Sequence, residues 1–289
     1  MTSMTLNAGL ERGEVLRIIR AALEEDLRYG PDITTLATVP ADAVVRASVV
    51  SRQQGTVAGL DAGLLVLDEV IGAEGYEILD RVADGARVVP GQPVLTVTAP
   101  TRGLLTAERT MLNLVCHLSG IATTTAAWVD AVAGTRCRIR DSRKTLPGLR
   151  AVQKYAVRVG GGHNHRMGLG DAALIKDNHV VAAGSVVAAL QAVRAAAPDI
   201  TCEVEVDSLE QLDAVLAENV ELVLLDNFPL WQTQAAVQRR NAVAPQTKLE
   251  SSGGLSLDTA TDYARTGVDY LAVGALTHSV RVLDLGLDM

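Results

Sequence analysis

The sequence predicts an α/β fold: an irregular α+β first third, then an incomplete α/β barrel. Three observations carry this. From residue 137 onward, short apolar, β-rich runs alternate with amphipathic helical segments. Before residue 100, strands and helices mix without that alternation. Each run after 137 also ends in polar residues or glycine, as expected where the strands of a parallel barrel converge at their C-terminal ends.

Taken in order, Val15, Ile18, Ile19, Ala22 and Leu23 recur at helical spacing over 14–27, and Gly30-Pro31-Asp32 stops that helix. Val44–Ser51 and Thr56–Gly59 read as strands and Asp61–Ile71 as a helix. Asp84-Gly85 and Pro90-Gly91 punctuate further strands ending near Pro100. A long helical stretch runs from about Arg102 to Val132, with a break expected around Ser119-Gly120. Then come the strands Cys137–Arg140, Ala172–Ile175, Cys202–Val206, Leu222–Leu225, Lys248–Glu250 and Tyr270–Val273, with helices such as Gly184–Ala197, Leu209–Glu218 and Leu230–Val243 between them. Strict alternation implies parallel strands with crossover helices. Six strands are fewer than the eight of a full barrel, so the barrel is modified; a doubly wound open sheet is the structural alternative.

Charge is unevenly spread. Residues 136–179 hold ten basic and three acidic residues, a local balance of +7, in a chain of net −8, so the remainder sums to −15. One cationic segment in an acidic body points to a pocket for a small, multiply charged anion and away from nucleic acid. Aromatic content of 3% leaves few rings on which bases could stack. Cys116, Cys137 and Cys202 lie far apart with no C-x-x-C, which indicates neither a disulfide framework nor a thiolate zinc site. With no basic-then-apolar N-terminus and no long apolar run for a membrane span, the expected location is the cytoplasm.

The strand ends carry the chemistry. Arg143 and Lys144 follow one strand, His165 and Arg166 lie on the next loop, and Lys176 ends the following strand. Together they suit carboxylates or phosphates; the bland reading is a solvated basic surface. Lys176 directly follows the apolar Ala172–Ile175 run and is expected to be partly buried. Ser251-Ser252-Gly253-Gly254 and Gly274 end neighbouring strands where barrels bind phosphate, though Ser-Gly-Gly alone is a common turn. Glu203 and Glu205 share one strand face, and Asp226 ends an apolar run. Acidic groups there suggest Mg²⁺ held with substrate oxygens or recognition of sugar hydroxyls, while Glu205 has a simpler option in pairing with Lys176. Gly168-Leu169-Gly170-Asp171-Ala172-Ala173 precedes a strand, so it fails as a dinucleotide fingerprint. His163-Asn164-His165 lacks a third zinc ligand at suitable spacing. Lys176 as a Schiff-base lysine of a barrel aldolase is the runner-up chemistry.

Asp141-Ser142-Arg143-Lys144-Thr145-Leu146-Pro147-Gly148-Leu149-Arg150, Gly160-Gly161-Gly162 with Asn164-His165-Arg166, Lys176-Asp177-Asn178-His179, Glu203-Val204-Glu205-Val206, Leu225-Asp226-Asn227 and Glu250-Ser251-Ser252-Gly253-Gly254 resemble the type II phosphoribosyltransferases, and most closely the quinolinate phosphoribosyltransferase family. The likeness covers nearly the whole chain. It implies transfer of phosphoribosyl from phosphoribosyl pyrophosphate to quinolinate with loss of CO₂, aided by Mg²⁺. It also implies an open-faced sandwich domain (1–118, with the tail 279–289 returning to it), a modified barrel (119–278), and a homodimer with shared sites, hexamers being left open. By the same resemblance, Arg109 of the partner subunit meets the substrate carboxylate, and Arg143, His165, Arg166 and Lys176 line the quinolinate pocket. Lys144, Glu205, Asp226, Ser252, Gly253, Gly254, Gly274 and Ala275 serve the phosphoribosyl and pyrophosphate parts, with Ser142 and Val273 also at the substrates. Lys144, Lys176, Glu205 and Asp226 are the expected catalytic set, and Glu205 and Asp226 reach the metal through bound substrate. A paralogue with another acid substrate and a non-enzymatic nucleotide-binding regulator are the remaining rivals.

Overall fold

Spacing along the first helix is borne out in the computed structural model, which describes residues 5–6 and 9–289. After a ribbon of β1 (Thr5–Leu6) and β2 (Leu10–Glu11), α1 (Arg12–Leu27) buries Val15, Ile18 and Ile19. Asp32 accepts the backbone N–H of Thr35 at 3.0 Å and so starts α2 (Ile33–Thr38). Strands β3 (Val44–Ser51), β5 (Glu77–Arg81) and β7 (Pro93–Pro100) join the C-terminal β14 (Leu285–Asp288) in an antiparallel sheet of order β14-β3-β7-β5. A smaller pair is formed by β4 (Gly55–Thr56) and β6 (Arg87–Val88). Helices α3 (Leu60–Ile71) and α4 (Thr101–Ala131) supply much of the core here, with α5 (Arg150–Val159) adding Val152, Tyr155, Ala156 and Val157.

Helix α4 runs unbroken through Ser119-Gly120, contrary to the expected break. The small residues serve close packing instead. Ser119 Oγ accepts the N–H of Ala58 at 2.9 Å and donates to its carbonyl at 3.2 Å. A Cβ on Gly120 would sit 2.2 Å from the carbonyl oxygen of Arg281. The chain divides into one unit of Met1–Ala126, Thr145–Gly161 and Leu276–Met289 and another of Ala127–Lys144 and Gly162–Ala275. This division falls within α4, eight residues after 118/119, and places α5 with the first unit.

In the second unit, β8 (Arg138–Arg140), β9 (Ala173–Ile175), β10 (Cys202–Val206), β11 (Leu222–Asp226), β12 (Lys248–Ser252) and β13 (Tyr270–Ala272) form one all-parallel sheet of order β8-β13-β12-β11-β10-β9. Between them lie α6 (Asp177–Ala183), α7 (Val186–Ala196), α8 (Leu209–Ala217), α9 (Leu230–Val243) and α10 (Leu257–Arg265), and α11 (Ala275–His278) follows β13. The end strands β8 and β9 do not pair, so the barrel is incomplete, as the strand count implied. Val204, Val223, Leu225, Leu249 and Leu271 are buried on one set of alternate positions, while Glu203, Glu205, Glu250 and Ser252 occupy the other. Among the described residues no single helix is long and apolar enough to cross a membrane.

Candidate active site

Because all six strands run the same way, their polar C-terminal ends gather at one end of the second unit. Register sets Asp226 beside Ser252 and Ser252 beside Ala272, with Glu205 paired to Leu224. Ser142, Arg143 and Lys144 leave β8, Lys176 leaves β9, and Val273, Gly274 and Ala275 leave β13.

Arg143 and Lys144 follow the end of β8, and Arg166 lies on the loop before β9. Arg143 is half-buried, and its Nε is buried with no hydrogen-bond partner among the described residues. Arg166 donates from Nη1 to the Ala172 carbonyl at 3.0 Å, and its guanidinium is held below its ordinary pKa by burial and then by the like charge of Arg143. Lys144 is exposed, its backbone N–H on Ser142 Oγ at 3.1 Å.

Lys176 corrects an expectation. Its side chain is 46% exposed, and Nζ donates to Glu205 Oε2 at 2.5 Å. Strand β9 ends at Ile175, so the apolar run does not cover Lys176. The residue instead caps α6, its backbone N–H donating to His179 Nδ1 at 2.9 Å. Pairing with Glu205 was the simpler alternative open to that carboxylate.

The phosphate-type turn is built from two interlocked loops. Asn227, at φ 55°, donates its backbone N–H to the Ser252 carbonyl at 2.8 Å and its Nδ2 to Asp226 Oδ2 at 2.8 Å. Gly253 has φ 85°, and a Cβ there would lie 2.1 Å from Asn227 Oδ1, so no other residue fits. Gly254, at φ 63°, faces open space. Small residues thus leave backbone amides accessible ahead of α10.

Below the strand ends lies a buried charge cluster. His165 Nε2 is 2.7 Å from Glu203 Oε2 and 3.8 Å from Glu250 Oε1, and Arg140 donates to Glu250 Oε2. Burial pushes both carboxyls up, to about 7, against the pull of Arg140. His165, Glu203 and Glu250 have the spacing of metal ligands. Arg140 already occupies one of those carboxylates, which marks the group as an internal ion-pair network. His163 sits apart from it, its Nε2 3.0 Å from Arg138 Nη1. A cavity of about 520 Å³ opens at the opposite, N-terminal ends of the strands beside Glu221, Lys248 and Tyr270. Barrel chemistry belongs at the other end.

Residues 32–119 match the N-terminal domain, and residues 121–288 the C-terminal domain, of the family described as quinolinate phosphoribosyl transferase. The chain belongs to the quinolinate phosphoribosyltransferase family. It is 74% identical over 271 residues to the carboxylating nicotinate-nucleotide pyrophosphorylase of Mycobacterium leprae, covering 94% of this chain and 95% of that one. The probable carboxylating nicotinate-nucleotide pyrophosphorylase of Bacillus subtilis is 37% identical, covering 92% of this chain and 90% of its own. The solved structure of NadC from Streptococcus pyogenes superposes with a TM-score of 0.90 at 38% identity, covering 97% of both chains.

The second unit brings the expected residues between Ser142 and Ala275 to its strand ends and the loop before β9, except that His165 is buried below them with its ring on Glu203. Arg109 lies in the first unit, exposed on α4. Three supporting residues escaped the sequence reading. Arg140 and Glu250 form the central ion pair. Asp141, fully buried, accepts the His165 backbone N–H at 2.8 Å and Asn164 Nδ2 at 2.5 Å, fixing the loop that carries Arg166. Their one sequence signal was a charge inside, or directly after, an apolar run.

Proposed function

We propose that this chain transfers the phosphoribosyl group of phosphoribosyl pyrophosphate to quinolinate with decarboxylation. The products are nicotinate mononucleotide, pyrophosphate and CO₂, a pentosyltransferase step of NAD biosynthesis. Family membership supports the reaction class, and one observation carries the substrate. Burial, and then the like charge of Arg143, disfavour the charge of Arg166, and the buried Nε of Arg143 awaits an acceptor. A pyridine dicarboxylate satisfies both guanidiniums at once.

The chemistry follows from positioning. The pyridine nitrogen attacks the anomeric carbon as pyrophosphate departs, through an oxocarbenium-like ribosyl cation, so no general base is required. Glu205 and Asp226 lie where a carboxylate meets the developing positive charge or the ribose hydroxyls. Lys144 balances the departing anion, Lys176 borders the quinolinate pocket, and the amides around Ser252, Gly253, Gly254, Gly274 and Ala275 receive phosphate oxygens. The bond between the ring and the carboxylate next to its quaternised nitrogen then breaks. CO₂ leaves, the electron pair stays on that ring carbon beside the positive nitrogen, and a proton from water takes the vacated position.

Asp226 and Glu205 fit a hard cation, being carboxylate oxygens at adjacent strand ends, with one oxygen of Asp226 oriented by Asn227. They would hold Mg²⁺ mainly through substrate oxygens, and the ion would supply charge neutralisation at the pyrophosphate. Lys176 speaks against the aldolase alternative, since an amine committed to an ion pair with Glu205 must leave it before attacking a carbonyl. The proposal includes a cytoplasmic homodimer in which Arg109 of the partner subunit completes each site. Equimolar release of CO₂ and pyrophosphate from quinolinate and phosphoribosyl pyrophosphate is the expected result. No release with the Mg²⁺-supplemented protein overturns the reading.

A further inference from the structure

Arg166 is tied to the buried charges of the barrel through the histidine before it. Its backbone N–H donates to Nδ1 of His165 at 2.7 Å, and Nε2 of that ring lies 2.7 Å from Glu203 Oε2. With Nδ1 accepting, the ring proton sits on Nε2 and points at Glu203. Glu250 approaches the same nitrogen at 3.8 Å and is itself held by Arg140. Side-chain exposure is 7% for His165, 4% for Glu203 and 0% for Glu250. From the other side, Asp141 holds the His165 backbone N–H at 2.8 Å. Ring and backbone of His165 are therefore both pinned, and with them the start of Arg166.

Two buried carboxylates beneath a pocket for anions call for a reason, because negative charge there opposes binding of a dicarboxylate. We propose that Glu203 and Glu250 are positioning residues: acting through the His165 ring, they fix the backbone at Arg166 and so the approach of its guanidinium to the substrate carboxylate. This rests on the phosphoribosyltransferase reading and adds to it residues that do not touch the substrate. Glu203 makes the direct contact with the ring. Glu250 lies beside the same ring nitrogen and ties the assembly to β8 through Arg140.

The test is a kinetic double-mutant cycle on the full-length protein with Mg²⁺, using Glu203→Ala, Glu203→Gln, His165→Ala and the two Glu203 changes combined with His165→Ala. Glu203→Ala should raise KM for quinolinate roughly tenfold while moving KM for phosphoribosyl pyrophosphate less than about threefold. Glu203→Gln should recover most of that loss, because its amide oxygen accepts the same hydrogen bond. In the His165→Ala background neither change should add more than about twofold, since the ring that transmits the effect is gone. Effects that multiply in the double variants, or KM values that rise together for both substrates, overturn the inference. Should Glu203→Ala not fold, the smaller change in Glu203→Gln, about threefold, must still vanish without His165. Wild-type protein inactive on quinolinate sinks the functional reading itself. Active wild type with an unmoved quinolinate KM in the folded Glu203 variants sinks the positioning role alone.

Discussion

Arg143 and Arg166 hold two guanidiniums together, one with a buried nitrogen unpartnered, and that arrangement is unfavourable until a dianion fills it. Removing one carboxylate from the substrate leaves part of this unfavourable state in place. Nicotinate should therefore be used worse than quinolinate by on the order of 10²–10³ in kcat/KM, a loss of a few kcal/mol. Comparable kcat/KM values for the two acids contradict the pocket assignment. Glu250 makes a second prediction, on stability. Burial, and then the Glu203 charge, raise its pKa from its ordinary 4.5 to about 7. Between those pH values the folded protein holds a proton on Glu250 that the unfolded chain has released, so this contribution is fully present below 4.5 and is lost as pH rises through about 7. Glu250→Gln should flatten the fall in unfolding free energy over that range, by at most roughly 1.4 kcal/mol per pH unit. Urea denaturation of both proteins across the range checks it, and parallel curves refute it.

At the turn proposed to receive phosphate, Asn227 fills the space that a side chain on Gly253 would need. Gly253→Ala has to displace Asn227 and, with it, the hydrogen bond that orients Asp226. Its kcat/KM for phosphoribosyl pyrophosphate should fall at least about tenfold, with binding of quinolinate alone, followed by calorimetry, held within about twofold. Loss of both together would instead mean general damage to the barrel. The proposal that Glu205 and Asp226, at the ends of β10 and β11, hold Mg²⁺ through substrate oxygens has its own test: excess EDTA should abolish turnover, and Mg²⁺ should restore it. Full activity in EDTA rejects that role for Glu205 and Asp226. At this scale the sequence was most readable, because six apolar runs bounded by polar ends announce parallel strands. It was least readable where packing overrules local propensity. Ser119-Gly120 looks like a break and is a close contact within α4, and Lys176 looks covered by a strand that stops one residue earlier. The Arg140–Glu250 pair spans 110 positions and meets only because β13 alone separates β8 from β12, an adjacency that no single strand's residues reveal.

Over the whole molecule, the +7 segment divides: Arg150, Lys154 and Arg158 lie on α5 in the first unit, and Arg143, Lys144, Arg166 and Lys176 lie in the second. Arg109 lies outside that segment and outside the second unit, on an exposed stretch of α4. A surface arginine in that position ordinarily pairs with a neighbouring acid. The exposure of Arg109 is what a role in the site of a second copy of the chain requires. If Arg109 acts in trans, Arg109→Ala and Lys144→Ala homodimers are each nearly inactive, since every site lacks one residue. A mixed dimer then has one site missing both residues and one with neither missing, formed by the native Arg109 of one chain and the native Lys144 of the other. Random exchange puts half the dimers in the mixed form with one working site of two, so activity should recover to roughly a quarter of wild type. Subunit exchange verified by differential tagging, with quinolinate turnover as the readout, makes the measurement. Heterodimers that form without recovering activity assign Arg109 to its own subunit or to no site at all.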